Sequence, residues 1–396
     1  MNYLRVTMIS LCMANLMPSS VLAGNIVTDF MAGEASGSFR LRYESADVDD
    51  GTKDSAKALT VRTRLAYQTK GMNGLSAHIE LEDVQALLGI NDYFDKGTIS
   101  NGKTTYDTIA DPAMTEVNES YLKYMKDALE IKVGKQRIVF DNMRFVGHVG
   151  WRQDDQTFDA LKATFKIAGG QISAAYIDQV NGIFGDTHKI DKSDVLLNAS
   201  YKVGAMGTAT GYAYILDNKD ADTQSDTFGA RFNGKAGMFK YTAEFATQSS
   251  EAATDNDATY TLLEGGAAMA GVNAALGMEV LGSDGAAYGF STDLATKHAF
   301  NGWADVFLGT PASGLQDIYV KVGTKMAGIK LLGVYHTYTA DDDGGTGLDD
   351  LGSELNLLAV KKLENKVSVG FKYAAYSAGD TGVDVTKMWL WTQVSF

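Results

Sequence analysis

The sequence predicts an all-β chain whose strands close into a membrane-spanning antiparallel barrel of about 18 strands, with 16 as the other even count. Three observations predict it. Alternation of apolar and polar residues with period two recurs from one end of the chain to the other, in segments of roughly ten residues, the length that a tilted spanning strand requires. Beyond residue 23 only Pro112 and Pro311 occur, while the full chain carries 42 glycines and 19 tyrosines, a composition of strands and tight turns. The last residues, Met388, Leu390, Thr392, Val394 and Phe396, alternate down to a terminal aromatic.

Residues 1–23 are set apart from the fold. Arg5 precedes an apolar stretch from Val6 to Met17, and Val21-Leu22-Ala23 ends in residues compact enough for a signal-peptidase site, so cleavage is expected after Ala23. The stretch is shorter than the about 20 residues of a spanning helix. The only cysteine, Cys12, lies inside it, so the mature chain, 24–396, is expected to be one barrel domain without disulfides. No linker or shift in composition divides it.

The formal net charge is −14, and loss of Arg5 leaves −15. An acidic chain of this kind lacks the basic surface that nucleic acid needs. Much of the acid falls in expected loops: Asp47, Asp49, Asp50 and Asp54, then Asp341, Asp342, Asp343, Asp349 and Asp350. These fit solvated loop tips, or divalent-cation bridges to anionic lipopolysaccharide.

Alternation is plain at Phe39/Leu41/Tyr43 against Arg40/Arg42/Glu44, and at Leu59/Val61/Thr63/Leu65 against Thr60/Arg62/Arg64. Leu75/Ala77/Ile79/Leu81 set against His78/Glu80/Glu82 repeat it. Eighteen such segments are expected near 35–46, 57–69, 75–86, 115–126, 128–140, 154–167, 170–180, 192–203 and 207–217. The rest fall near 224–235, 238–249, 257–268, 272–282, 316–326, 328–340, 352–362, 365–377 and 384–396. Alternation is weakest in 257–268. Tight links such as Lys126-Asp127, Ala168-Gly169-Gly170 and Glu364-Asn365 interleave with long connections at 87–114, 141–153, 283–315 and 341–351. Short periplasmic turns opposite long extracellular loops are the barrel pattern. No stretch of 18 apolar residues follows Ala23, and in a bilayer only helices or closed barrels pair every backbone group.

With the apolar set facing lipid, the charged set faces the lumen, because a charge on the lipid face costs about 2–4 kcal/mol near the midplane. The expected pore lining is therefore Arg40, Arg42, Arg62, Arg64, Glu80, Glu82, Lys123, Glu130 and Lys132, joined by Arg137, Arg144 and Arg152 from the loop after the fifth strand. Two readings of these charges stand side by side: mutual pairing that stiffens the wall, or a transverse field that orients polar solutes. The loop itself either folds into the channel to present guanidinium groups to carboxylates, or is packed down by pairs to Asp141, Asp154 and Asp155.

The chain lacks His-Glu-x-x-His, Gly-x-Ser-x-Gly, a phosphate-binding glycine loop and a cysteine pair, and its five histidines show no ligand spacing. No catalytic site, cofactor or metal is expected.

The stretch Gly134-Lys135-Gln136-Arg137, Asp141-Asn142-Met143-Arg144-Phe145-Val146-Gly147, Gly150-Trp151-Arg152-Gln153 and Thr157-Phe158-Asp159-Ala160 resembles the alginate-export family of Gram-negative outer-membrane porins. So does Phe300-Asn301-Gly302-Trp303-Ala304-Asp305, running on to Leu308-Gly309-Thr310-Pro311 and Gly314-Leu315-Gln316-Asp317. That resemblance implies an 18-stranded monomeric barrel in the outer membrane, surrounded by lipid and lipopolysaccharide. It also implies an arginine-rich path for an anionic polysaccharide, although the lumen here reads as mixed in charge. The C-terminal Phe396 resembles the signal read by the barrel-assembly machinery. The functions left open are a channel for small polar or anionic solutes, an export channel for an alginate-like anionic saccharide, and an adhesion or surface-binding barrel with a plugged lumen.

Overall fold

The computed structural model describes residues 32–97, 100–185, 188–251, 254–363 and 366–396. The expected leader 1–23 with Cys12, and the Glu364-Asn365 turn, lie outside the described residues.

The strands are β1 (Glu34–Val48), β2 (Ala56–Gln68), β3 (Leu75–Asp92), β4 (Met114–Lys126), β5 (Leu129–Gln136) and β6 (Thr157–Ile167). There follow β7 (Gly170–Asn181), β8 (Lys189–Val203), β9 (Gly207–Asn218), β10 (Thr223–Ala236), β11 (Phe239–Glu251) and β12 (Asp255–Met269). The last six are β13 (Val272–Leu281), β14 (Leu315–Met326), β15 (Ile329–Thr339), β16 (Asp350–Lys362), β17 (Val367–Ser377) and β18 (Val385–Ser395). Each pairs antiparallel with its sequence neighbours, and β18 pairs back onto β1 from Ser38↔Ser395 to Val48↔Val385, so the 18-stranded sheet has no edge.

Beyond the last ladder pair, Phe396 and Gly37 exchange two backbone hydrogen bonds of 3.0 Å, and the Phe396 ring stacks on Phe39 at 5.9 Å. Gly37 is required by this contact: a Cβ there would lie 2.7 Å from the Phe396 ring and 2.8 Å from the Arg64 carbonyl.

Period two sets the two faces. Leu65, Ile79, Phe165, Phe228, Phe245 and Leu276 stand outward and uncovered, as a lipid-facing band must. Arg40, Arg42, Glu44, Arg62 and Glu82, on the opposite face, are buried. A bulge in β4 opposite Glu80 and Leu81 breaks the alternation, so that Asn118 and Glu119 both turn inward.

Two-residue turns such as Asp127-Ala128, Gly237-Met238 and Ala327-Gly328 close the periplasmic end. The longest connections, 93–113, 137–156 and 282–314, cluster at the other. Three of the boundaries that shift border the long loops. β3 continues to Asp92, shortening the loop expected at 87–114. β5 stops at Gln136 rather than 140, and β6 begins at Thr157 rather than 154. The segment 137–140 leaves the wall because Ile138 and Phe140 are drawn into an apolar cluster inside the barrel.

Candidate functional site: a constriction built by two inward loops

The first inward loop, 137–156, runs from β5 across the lumen to β1 and β2. Arg40 and Arg62 stand opposite each other on β1 and β2, and like charges so placed repel. The loop backbone relieves the repulsion. Arg40 donates to the Gly150 carbonyl (3.3 Å), the Arg152 carbonyl and the Gln153 side chain (2.8 Å). Arg62 reaches the Gln153 carbonyl at 3.4 Å, and Arg42 donates to the Trp151 carbonyl and to Asp111. Carbonyl oxygens accept from guanidinium without adding a charge, so four consecutive loop residues serve as the counter-surface of the basic ladder.

Arg152 points back to the wall and grips Glu44 through two nitrogens at 3.0–3.2 Å, with Asp305 at 3.6 Å. Asp111, from the loop after β3, receives Gln153 N at 2.8 Å and holds Arg42. Burial alone would favour its protonated form, but the adjacent Arg42 and Arg152 keep its pKa below the ordinary carboxylate range.

A second cluster joins Arg64, Glu80, Glu82, Glu119, Arg137 and Asp155. Arg64 pairs with Glu82 and with Asp155 (2.9 Å), and Arg137 pairs with Glu80, Glu119 and Asp155. Beside it Asp154 is almost fully buried, and neither of its carboxylate oxygens has a hydrogen-bond partner. Burial, together with Glu116, Glu82 and Asp155, pushes its pKa well above the usual value.

The second inward loop, 282–314, laces to the first. Gly147 N donates to the Leu294 carbonyl (2.8 Å), Thr296 N to the Met143 carbonyl (3.0 Å), and Val149 N to Thr296 Oγ1 (3.0 Å). Arg144 bonds Glu279 of β13 and Asn301, both at 2.8 Å. Glu354 of β16 accepts from Trp303 N and, at 2.8 Å, from Ala304 N. Gly302, at φ +86°, fits only as glycine: a Cβ would come within 2.4 Å of both Glu354 and Tyr338.

Trp151 sits where the loops and the barrel seam converge. It stacks on His298 at 4.9 Å, meets Trp389 and Trp391 of β18 edge-on, and lies 3.7 Å from the Lys372 ammonium. Lys372 donates to His298 Nε2 at 2.9 Å, which makes Nδ1 the protonated nitrogen that donates to Asp305 at 2.6 Å. Burial lowers the His298 pKa to about 3, in keeping with that neutral ring, while Lys387 holds the Asp305 carboxylate at 3.0 Å.

The structure thus gathers Arg40, Arg42, Arg62 and Arg152 under one loop, and Arg64, Glu80, Glu82 and Arg137 beside it. Arg144 stands apart, on the β13 side. Lys123, Glu130 and Lys132 lie nearer the periplasm, where Lys132 covers the Tyr121 ring at 4.7 Å. Of the pairs expected with Asp141, Asp154 and Asp155, only those to Asp155 form. Asp141 accepts instead from Asn198 (2.7 Å), and Arg144 and Arg152 take glutamates of the wall. Asp111, Glu279, Glu354, Lys372 and Lys387 were not anticipated as loop partners. The inward parity of the four strand residues, Glu279, Glu354, Lys372 and Lys387, was readable, but not which loop would reach them, and Asp111 lies in a loop where parity says nothing. Among the described residues no cluster of His, Cys, Asp or Glu is arranged to hold a metal ion.

A closed barrel of 18 antiparallel strands, narrowed by inward loops, is the architecture of a bacterial outer-membrane porin. Residues 34–281, more than half of the chain, match the family model described as alginate export, and the chain belongs to that family. Among solved structures it is similar to Acinetobacter baumannii OccAB4 (TM-score 0.71, 13% identity, 92% of this chain and 98% of that one). It is also similar to Pseudomonas aeruginosa OccK9 (OpdG), at TM-score 0.68 and 13% identity, over 93% of this chain and 100% of that one. The structure of P. aeruginosa OpdK with vanillate aligns at TM-score 0.68 and 12% identity, over 93% and 100%. No curated protein matches by sequence.

Proposed function

We propose that the protein is a diffusion channel for small polar or anionic solutes, with the two laced loops setting its bore. The observation that carries this reading is the state of the ladder. Arg40, Arg42, Arg62 and Arg152 are spent on loop carbonyls and wall carboxylates, while Arg64, Glu80 and Arg137 keep part of their surface uncovered. A lumen offering both signs suits small solutes better than a long polyanion, which calls for an unbroken basic track. OpdK, solved with vanillate, is a barrel of the same fold holding a small carboxylate.

The test is single-channel conductance of the refolded mature chain in a planar bilayer, with salt gradients and added uronate oligosaccharides. A steady open channel without uronate block supports the reading. Block by uronates gives the channel to anionic polysaccharide export, and absence of conductance gives the barrel to a plugged, surface-binding role.

The proposal extends to biogenesis. Residues 1–23 act as a leader removed after Ala23, and Phe396 is the terminus read by the assembly machinery. N-terminal sequencing of the membrane-inserted protein checks the first, and insertion of a chain lacking Phe396 checks the second.

A further inference from the structure

The periplasmic half of the lumen carries charge of a different kind from the constriction. Lys235 and Lys240 face each other directly across the β10–β11 turn, and Lys325 and Lys330 do so across the β14–β15 turn. Like charges at directly opposed positions are destabilising. These four share the lumen-facing parity of Glu244, Tyr319 and Val334, and they alternate with outward Phe239, Val322 and Met326. Among the described residues none of them has an acidic partner.

Two adjoining recesses, each of about 470 Å³, separate and surround the pairs. One is lined by Lys202, Lys235 and Lys240, the other by Lys240, Lys321, Lys325 and Lys330. The wall of the second recess is cut back to Gly266, Ala275 and Gly323, which leaves the lysine stems room. The one carboxylate in both recesses, Glu264, is taken by Lys321 (2.8 Å) and the Tyr319 hydroxyl (2.7 Å). Lys202, Lys235, Lys240, Lys325 and Lys330 therefore remain uncompensated.

We propose that this lysine-walled vestibule is a binding site for compact multivalent oxyanions of the phosphate type, entered from the periplasmic end. The proposal rests on the channel reading above and adds a side to it. Arginine is suited to planar carboxylates through its fork, whereas lysine acts as a compact point charge for phosphate groups, and the vestibule presents lysine alone. The inward direction of the pairs leaves soluble anions, rather than lipid headgroups, as the ligands. A bound multivalent anion relieves the cross-strand repulsion at the lysine pair it contacts.

The test uses tripolyphosphate added to one side of a single inserted channel. Orientation is fixed by a Gly345→Cys tag on an exposed loop, modified with a membrane-impermeant reagent. Periplasmic addition is expected to halve the current at a concentration at least tenfold below that needed from the extracellular side. The Lys235→Gln/Lys240→Gln/Lys325→Gln/Lys330→Gln variant is expected to abolish the difference while conducting in potassium chloride. Equal potency from both sides, or an unchanged difference in the variant, overturns the proposal. Should the wild type not conduct, the channel reading falls, and the site is decided separately by titrating tripolyphosphate into refolded barrel in detergent. Weaker binding by the quadruple variant supports the site, and identical binding overturns it.

Discussion

Arg40 and Arg62, directly opposed on neighbouring strands, are both buried beneath the backbone carbonyls of Gly150, Arg152 and Gln153. Each hydrogen bond to a charged group contributes about 1.5–3 kcal/mol. Arg40→Ala removes three of them and is expected to unseat residues 150–153, with a larger and noisier single-channel current. Arg62→Ala, which removes one, is expected to act in the same direction and less. An unchanged current in Arg40→Ala shows that the loop is held elsewhere.

Asp154 gives a pH dependence with a definite sign. It faces Glu116 of β4, Glu82 of β3 and Asp155 of its own loop, with Lys135 of β5 as the opposing cation. Its folded pKa is raised, so the native chain holds a proton that the unfolded chain releases above about pH 4. Stability therefore falls as pH rises from there through the raised value. Asp154→Asn is expected to be more stable than wild type by about 1–3 kcal/mol at neutral pH, with the advantage gone by about pH 4. Thermal unfolding in detergent, followed by circular dichroism at both pH values, checks it.

Gly302→Ala tests the second loop. The new methyl group collides with Glu354, which is fully buried and holds Trp303 N and Ala304 N, and φ +86° is itself costly for alanine. The loop is expected to lift from β16, with a wider pore and protease cleavage within 282–314. Resistance to cleavage equal to that of wild type counts against it.

At the barrel seam, Gly37→Val is expected to displace the Phe396 ring and its two backbone bonds. The loss is about 1 kcal/mol per bond and about 0.5–1.5 kcal/mol for the aromatic contact. The folded band on unheated gels is expected to convert to the unfolded one at a lower temperature than in wild type.

The strand ladder was legible because, outside the β4 bulge, the spanning strands follow one local rule, an apolar residue outward at every second position, with turn residues between. Even 255–269, where glycine and alanine blur the pattern, pairs with β11 from Asp255 to Ala267. The shortening of β5 was not legible, since Ile138 and Phe140 continue its alternation yet serve an interior cluster. The site was legible in its members and not in its pairings. The sequence leaves the basic ladder of β1 and β2 either self-paired or facing solute, whereas Arg40, Arg42 and Arg62 also reach backbone carbonyls more than 90 positions away, and no side-chain pattern encodes a carbonyl acceptor. The tie between Arg144 and Glu279 spans 135 positions, a distance over which sequence spacing carries no geometric information.

The loop 137–156 is fastened to β1 and β2 by Arg40, Arg42 and Arg62, and through Trp151 to Trp389 and Trp391 of β18. It is a clasp laid over the line where the two ends of the chain meet. While the barrel is still an open sheet during insertion, half of the clasp's seat does not exist. Bore and closure are therefore acquired in the same event, and a lineage that altered its final hairpin would alter the sieve together with the seal.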